Sequence, residues 1–161
     1  MRPTMRRRPF LENPGVTERN YSMNILIIDA QGGGIGRQLV LALKRRMPKS
    51  RITAVGTNSA AAGAMRKAGA DGVATGENAV VVGCRTADII VGPIGIAIAD
   101  AMLGEVTPAM ALAIAQSQAA KILIPFQNCG CTVVGVTESS VAQLIEQAAA
   151  LVQEKAEALQ K

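Results

Sequence analysis

The chain has no histidine and no tryptophan, with one tyrosine and two phenylalanines. Without histidine there is no Ser-His-Asp triad, no His-activated cysteine and no His-based zinc site. Any proton transfer falls to carboxylates, Lys, Cys or the single Tyr. The three cysteines, Cys84, Cys129 and Cys131, give no disulfide framework and suit a reducing, cytoplasmic setting. They are read as small apolar residues rather than metal ligands, because two-residue thiol spacing without further ligands is a weak metal signal. Apolar runs are broken by Gly, Pro or polar residues well short of the roughly 20 residues a membrane span needs. No membrane association is therefore expected.

Basic charge is less abundant than it looks. The net charge is +5, but Arg2, Arg6, Arg7, Arg8 and Arg19 sit in the first 22 residues against only Glu12 and Glu18. What remains is spread thinly, and after Tyr21 the only aromatic residue is Phe126. Nucleic-acid binding calls for basic residues gathered on one face, often with aromatic stacking platforms, so it is not expected. Residues 1–22 show no hydrophobic periodicity and no apolar core of a signal peptide. They read as a basic, disordered extension, with Met23 as the expected natural start and residues 23–161 as one domain.

Apolar residues make up 49% of the 161-residue chain and charged ones 18%, enough for one sizeable core and not for two. From Asn24 onward apolar runs and helical stripes alternate. Residues 25–28 form a continuous apolar run, as expected of a strand buried on both faces. A helix follows with Ile35, Leu39, Leu43 and Met47 at intervals of four, ending near Pro48. Strands are expected at residues 52–55, near Val73 and Ala74, and at 88–91, 121–124 and 131–136. Helices are expected after an Asn58 or Ser59 cap, from residues 75–78, from Gly95 toward Gly104, and after Thr107-Pro108. The last begins at the capping box Ser140-x-x-Gln143 and carries Val141, Leu144, Ile145, Ala148, Leu151 and Val152 on one stripe. Val80, Val81 and Val82 suit a strand as well as a helix. Alternation with almost no hairpin signals implies βαβ units. The expected fold is a three-layer, Rossmann-like α/β domain with a mostly parallel sheet of about six strands.

Chemistry concentrates between the first strand and first helix, in Asp29-Ala-Gln-Gly-Gly-Gly-Ile-Gly36. Gly32, Gly33, Gly34 and Gly36 are costly in chain entropy, and justify themselves through close backbone approach or unusual backbone conformations. A helix N-terminus there favours a phosphate or carboxylate. The spacing is not G-x-G-x-x-G. It is closer to the G-x-x-x-G-x-G turn of short-chain dehydrogenases, with Ala30 in the first place, although the chain has no Tyr-x-x-x-Lys pair. Arg37-Gln38 replaces the Lys-Ser/Thr of a P-loop. A bare strand-to-helix turn without ligand is the competing reading.

In a parallel sheet the carboxyl ends of the strands share one edge, where ligands bind. Asn58, Asn78 and Gly95, from three other strand ends, are therefore expected to join the glycines. After the second strand stands Gly56-Thr57-Asn58-Ser59, with no carboxylate for ribose hydroxyls; with Arg37 near, that leans toward NADP over NAD and equally permits another nucleotide or a phosphorylated metabolite. Asp29 and Glu77 are the catalytic candidates, as base or metal ligand, with helix capping the plainer role for Glu77. No metal site is expected. The apolar stretch 95–115 raises the alternative of a non-catalytic, homo-oligomeric ligand sensor or structural subunit.

From Met23 onward the sequence resembles a family of short bacterial proteins, the domain-of-unknown-function family 3842. The resemblance is carried by residues 29–36, Gly56-Thr57-Asn58, residues 74–79, residues 87–95, Met102-Leu103-Gly104-Glu105 and residues 121–125. Members of that family often have Gly in the place of Ala30, so Ala30 here narrows the turn. The family brings no activity with it, and implies that residues 1–22 lie outside the domain.

Overall fold

The computed structural model describes residues 23–125 and 130–161. The expected extension 1–22, together with Phe126, Gln127, Asn128 and Cys129, lies outside the described residues. In chain order the elements are β1 (Asn24–Asp29), α1 (Gly34–Arg46), β2 (Arg51–Gly56), α2 (Ser59–Lys67), β3 (Gly72–Thr75) and α3 (Glu77–Thr86). β4 (Ile89–Pro93), a short 3-10 turn (Ile94–Ala97), α4 (Pro108–Gln116), β5 (Ala120–Ile124) and α5 (Val141–Leu159) follow.

The five strands lie in the order β3-β2-β1-β4-β5, and every neighbouring pair is parallel. This is the Rossmann-like α/β fold. Ile27 of β1 pairs with Ala54 on one side and Val91 on the other, so the central strand has no exposed edge. Its alternating side chains feed two separate cores. Ile25 and Ile27 join Leu39, Leu43, Met65, Ile145 and Val152 under α1, α2 and α5. Leu26 and Ile28 join Val80, Ile90, Met110 and Ile114 under α3 and α4. Burial on both faces explains why residues 25–28 are apolar without a break.

Helix starts are fixed by the caps the sequence announces. Asn58 Oδ1 accepts the Ala61 amide at 2.9 Å, and Thr107 Oγ1 accepts that of Met110 at 3.2 Å ahead of Pro108. Ser140 and Gln143 form a reciprocal capping box on α5. The three valines 80–82 resolve as helix, with Val80 fully buried against the sheet.

Three local expectations are corrected. Residues 131–136 are not a strand: Val133, Val134 and Val136 are exposed, the chain turns at Gly135 with φ +87°, and strand propensity without a pairing edge forms no ladder. The helical stretch from Gly95 stops after one 3-10 turn, because Asp100, Met102 and Leu103 all take left-handed backbone, which cannot propagate a right-handed helix. On α5 the buried stripe runs through Ile145, Ala148, Ala149, Val152 and Ala156, leaving Leu151 exposed. Among the described residues, no helix is long and apolar enough to cross a membrane.

Candidate functional site at the carboxyl edge of the sheet

β1 ends on Asp29, a carboxylate only 4% exposed. Both of its oxygens take backbone N–H groups: Oδ1 accepts from Ala30 at 2.8 Å and Oδ2 from Gly36 at 2.6 Å. Burial raises its pKa above the ordinary carboxylate value, and the charge of Glu105 adds to that rise. The amides of Gly36 and Ala30 pull against it. Asp29 thus spans the glycine turn and caps α1 from below. Within the turn, the Gly33 N–H donates to the Ala30 carbonyl at 3.0 Å, and Gln31 and Gly33 both have positive φ.

The four glycines divide into two kinds. A Cβ at Gly33 would stand 2.7 Å from Ala61 Cα of α2, and one at Gly36 would stand 2.5 Å from Met65 Sδ and 2.9 Å from Asp29 Cβ. These two are packing glycines that let α1 settle against α2 and β1. Gly32 and Gly34 differ: a Cβ on either would have nothing within 4 Å, and neither has positive φ. The fold makes no demand for glycine at these two positions. No described residue accepts a hydrogen bond from their N–H groups.

A cavity of about 340 Å³ opens beside Gly32 and Gly34. The turn, Ile35 and Gln38 form one wall; Pro93 and Gly95 at the end of β4 form another, with Met102 and Val141 beyond. β1 and β4 are adjacent, and the chain leaves β1 toward β2 and β4 toward β5, on opposite sides. The cavity therefore sits at the topological switch point of the sheet, the crevice open α/β sheets use for ligands. A larger cavity of about 760 Å³ lies at the other edge, against Cys84, Arg85, Gln116 and Ser117. Those residues end α3 and α4, so helix carbonyl ends converge there rather than amide ends.

Glu105 comes to the site from the segment between the 3-10 turn and α4. Its Oε2 accepts the Gln31 N–H at 2.7 Å, Thr57 Oγ1 at 2.6 Å and Asn58 Nδ2 at 3.0 Å. Partial burial by itself would raise its pKa; the three hydrogen bonds, from Gln31, Thr57 and Asn58, overcome that and hold it below the ordinary range. Asn58 is otherwise committed, donating to the Gln31 carbonyl at 3.0 Å while capping α2.

The structure thus brings Asp29, Gly32, Gly33, Gly34 and Gly95 to one cavity, with Gly36 behind its wall and Asn58 beside it. Glu77 and Asn78 are exposed at the end of the edge strand β3, separated from β1 by β2, and do not line it. Glu77 opens α3, where a carboxylate suits the helix dipole. Arg37 is exposed and also outside the cavity wall. At the end of β2, where the local sequence has no carboxylate, the structure places that of Glu105, which accepts from Thr57 and Asn58. Glu105 is the residue that local sequence reasoning missed. It lies within the stretch Met102-Leu103-Gly104-Glu105, but its return to a turn 74 positions earlier is a tertiary fact.

Among the described residues no cluster of three or more His, Cys, Asp or Glu forms a metal-holding group. Cys84 packs in the core under α3, where burial lifts its thiol pKa to about 11. Cys131 is exposed. Neither the curated proteins nor the solved structures contain a match to the chain. A family model does match, across residues 24–157, and the chain belongs to the family described as a domain of unknown function, DUF3842.

Proposed function

We propose that the protein binds a nucleotide, or another phosphorylated small molecule, at the carboxyl edge between β1 and β4. Its anionic group would take the amides of Gly32 and Gly34. The carrying observation is that these two glycines face open space with ordinary backbone, beside unclaimed N–H groups. Glycine costs roughly 0.5–1 kcal/mol relative to alanine in a regular element, and a closely approaching ligand is a physical reason to bear that cost. The helix dipole of α1 adds its positive end. The cavity, at about 340 Å³, falls near the lower limit of roughly 300–1,000 Å³ for ligand sites. That favours a mononucleotide-sized ligand, or one half of a dinucleotide, over a whole dinucleotide.

Asp29 stands beside the anion site as the buried carboxylate that sets the shape of the turn. Its oxygens accept the Ala30 and Gly36 amides, which assigns it the support of the turn. The reading is therefore of binding, with no reaction assigned. A thermal-shift panel of ribonucleoside 5′-monophosphates, NAD, NADP and sugar phosphates tests it. A ligand at 100 times its Kd stabilises by about 2.7 kcal/mol; a flat panel contradicts the proposal.

A non-catalytic oligomeric sensor is the second reading. It draws on Leu103 and Leu112, exposed on and beside α4, in the apolar stretch whose composition raised it.

A further inference from the structure

The three hydrogen bonds that Glu105 accepts all fall on Oε2. No described residue donates to Oε1. One oxygen anchors the carboxylate, and the other is left as an oriented, charged acceptor. It is held at the end of β2, where the sequence itself has only Gly56-Thr57-Asn58. Glu105 stands just outside the cavity lining, joined to it by two residues that do line it: Gln31, whose N–H it accepts, and Met102, three positions earlier on the same segment. Gln31 is also the turn residue next to Gly32, so the Glu105 carboxylate and the unclaimed amides flank the same short stretch of backbone.

An oriented carboxylate oxygen selects donors and repels anions. Vicinal hydroxyls satisfy it; a phosphate in the same place does not. Resting on the anion-binding reading above, we propose that Glu105 is the specificity-determining residue of the site, accepting the cis-hydroxyls of an unmodified ribose whose 5′-phosphate lies at Gly32 and Gly34. The ligand class is then a ribonucleotide with free 2′ and 3′ hydroxyls, as against a 2′-deoxy or 2′-phosphorylated one. The carboxylate arrives from a distant loop to supply what the end of β2 lacks. Its depressed pKa keeps it charged across the neutral range.

The test is calorimetric titration of the full chain with the four ribonucleoside 5′-monophosphates and ribose 5-phosphate, then with the 2′-deoxy and 2′-phospho forms of whichever binds. The expected result is that the 2′-deoxy form binds about ten-fold more weakly, or worse, and the 2′-phospho form more weakly still. Glu105→Gln is the informative variant. Its single carbonyl oxygen can keep the bonds from Gln31, Thr57 and Asn58, while its amide turns the open acceptor into a donor. The variant should remain folded, reduce the ribo-to-deoxy ratio to within about three-fold, and bind the 2′-phospho form better than wild type does. If a ribonucleotide binds with no preference over its 2′-deoxy form, or Glu105→Gln leaves the preference unchanged, this role for Glu105 is wrong while the anion site stands. If none of the five phosphates binds, the anion site and this inference fall together.

Discussion

Replacing Gly34 with alanine separates two reasons for a glycine in the turn, geometry and ligand approach. Gly34 is the first residue of α1, has no positive φ, and offers an added Cβ open space. Under those conditions alanine restricts the unfolded chain without straining the native one, and Gly→Ala stabilises by about 0.4–1 kcal/mol. For a domain of this size that corresponds to a rise in Tm of about 1–5 °C. Gly33→Ala is the matched control. Its φ of +71° costs an alanine about 1–2 kcal/mol, and a Cβ 2.7 Å from Ala61 Cα and 2.9 Å from its carbonyl oxygen adds overpacking of about 1–3 kcal/mol. The sum, about 2–5 kcal/mol, is a large part of the roughly 5–15 kcal/mol typical of a domain. Chemical denaturation reads both variants, and calorimetry with the ribonucleoside monophosphates reads their binding. Gly34→Ala should be at least as stable as wild type and bind at least ten-fold more weakly. A Gly34→Ala protein destabilised by more than about 1 kcal/mol, or one that binds as wild type does, refutes the division of the glycines.

Other consequences follow from the same geometry. Gly36→Ala should destabilise by about 1–3 kcal/mol, since its Cβ meets Met65 and the buried Asp29; a neutral result in urea denaturation would show that Met65 simply moves aside. Asp29 has a folded pKa raised above its ordinary value, so its contribution to stability is present below that ordinary value and is lost as pH rises through the folded pKa. Asp29→Asn removes this linkage, and the variant should therefore gain on wild type as pH is raised from about 3.5 to about 7 in a denaturation series; parallel curves would contradict the shift. Ser140→Ala removes a capping box from α5 and should cost about 1 kcal/mol by thermal or chemical denaturation. The oligomeric reading predicts more than one chain per particle by light scattering, and a strictly monomeric mass rejects it.

The alternation of strands and helices follows from features visible in the sequence. The unbroken apolar run 25–28 marked a strand buried on both faces, and Asn58, Thr107 and Ser140 marked three helix starts. Each of these signals is local, and local hydrogen-bonding or burial produces it. Residues 131–136 misled because Val and Thr favour strands only where an edge is available to pair, and sequence pattern carries no information on that. The left-handed residues Asp100, Met102 and Leu103 misled in the opposite direction, since a small-residue apolar stretch looks helical unless its backbone is known. At the site, the glycine cluster was legible as a group, but its division was not. Gly33 and Gly36 owe their identity to Ala61 and Met65 on a different helix, and Glu105 owes its place to a chain reversal across 74 positions. Glu77 and Asn78 were expected because they end a strand, yet an edge strand does not reach the switch point between β1 and β4.

The central claim is that the Gly32 and Gly34 amides receive an anion. Backbone amide NMR during titration with a ribonucleoside 5′-monophosphate reads those two groups directly. Saturable shifts of the Gly32 and Gly34 resonances, with Gly36 moving far less because Asp29 holds its N–H, are the predicted result. Saturable shifts confined to the opposite edge around Arg85 and Gln116, or none at all, would contradict the account.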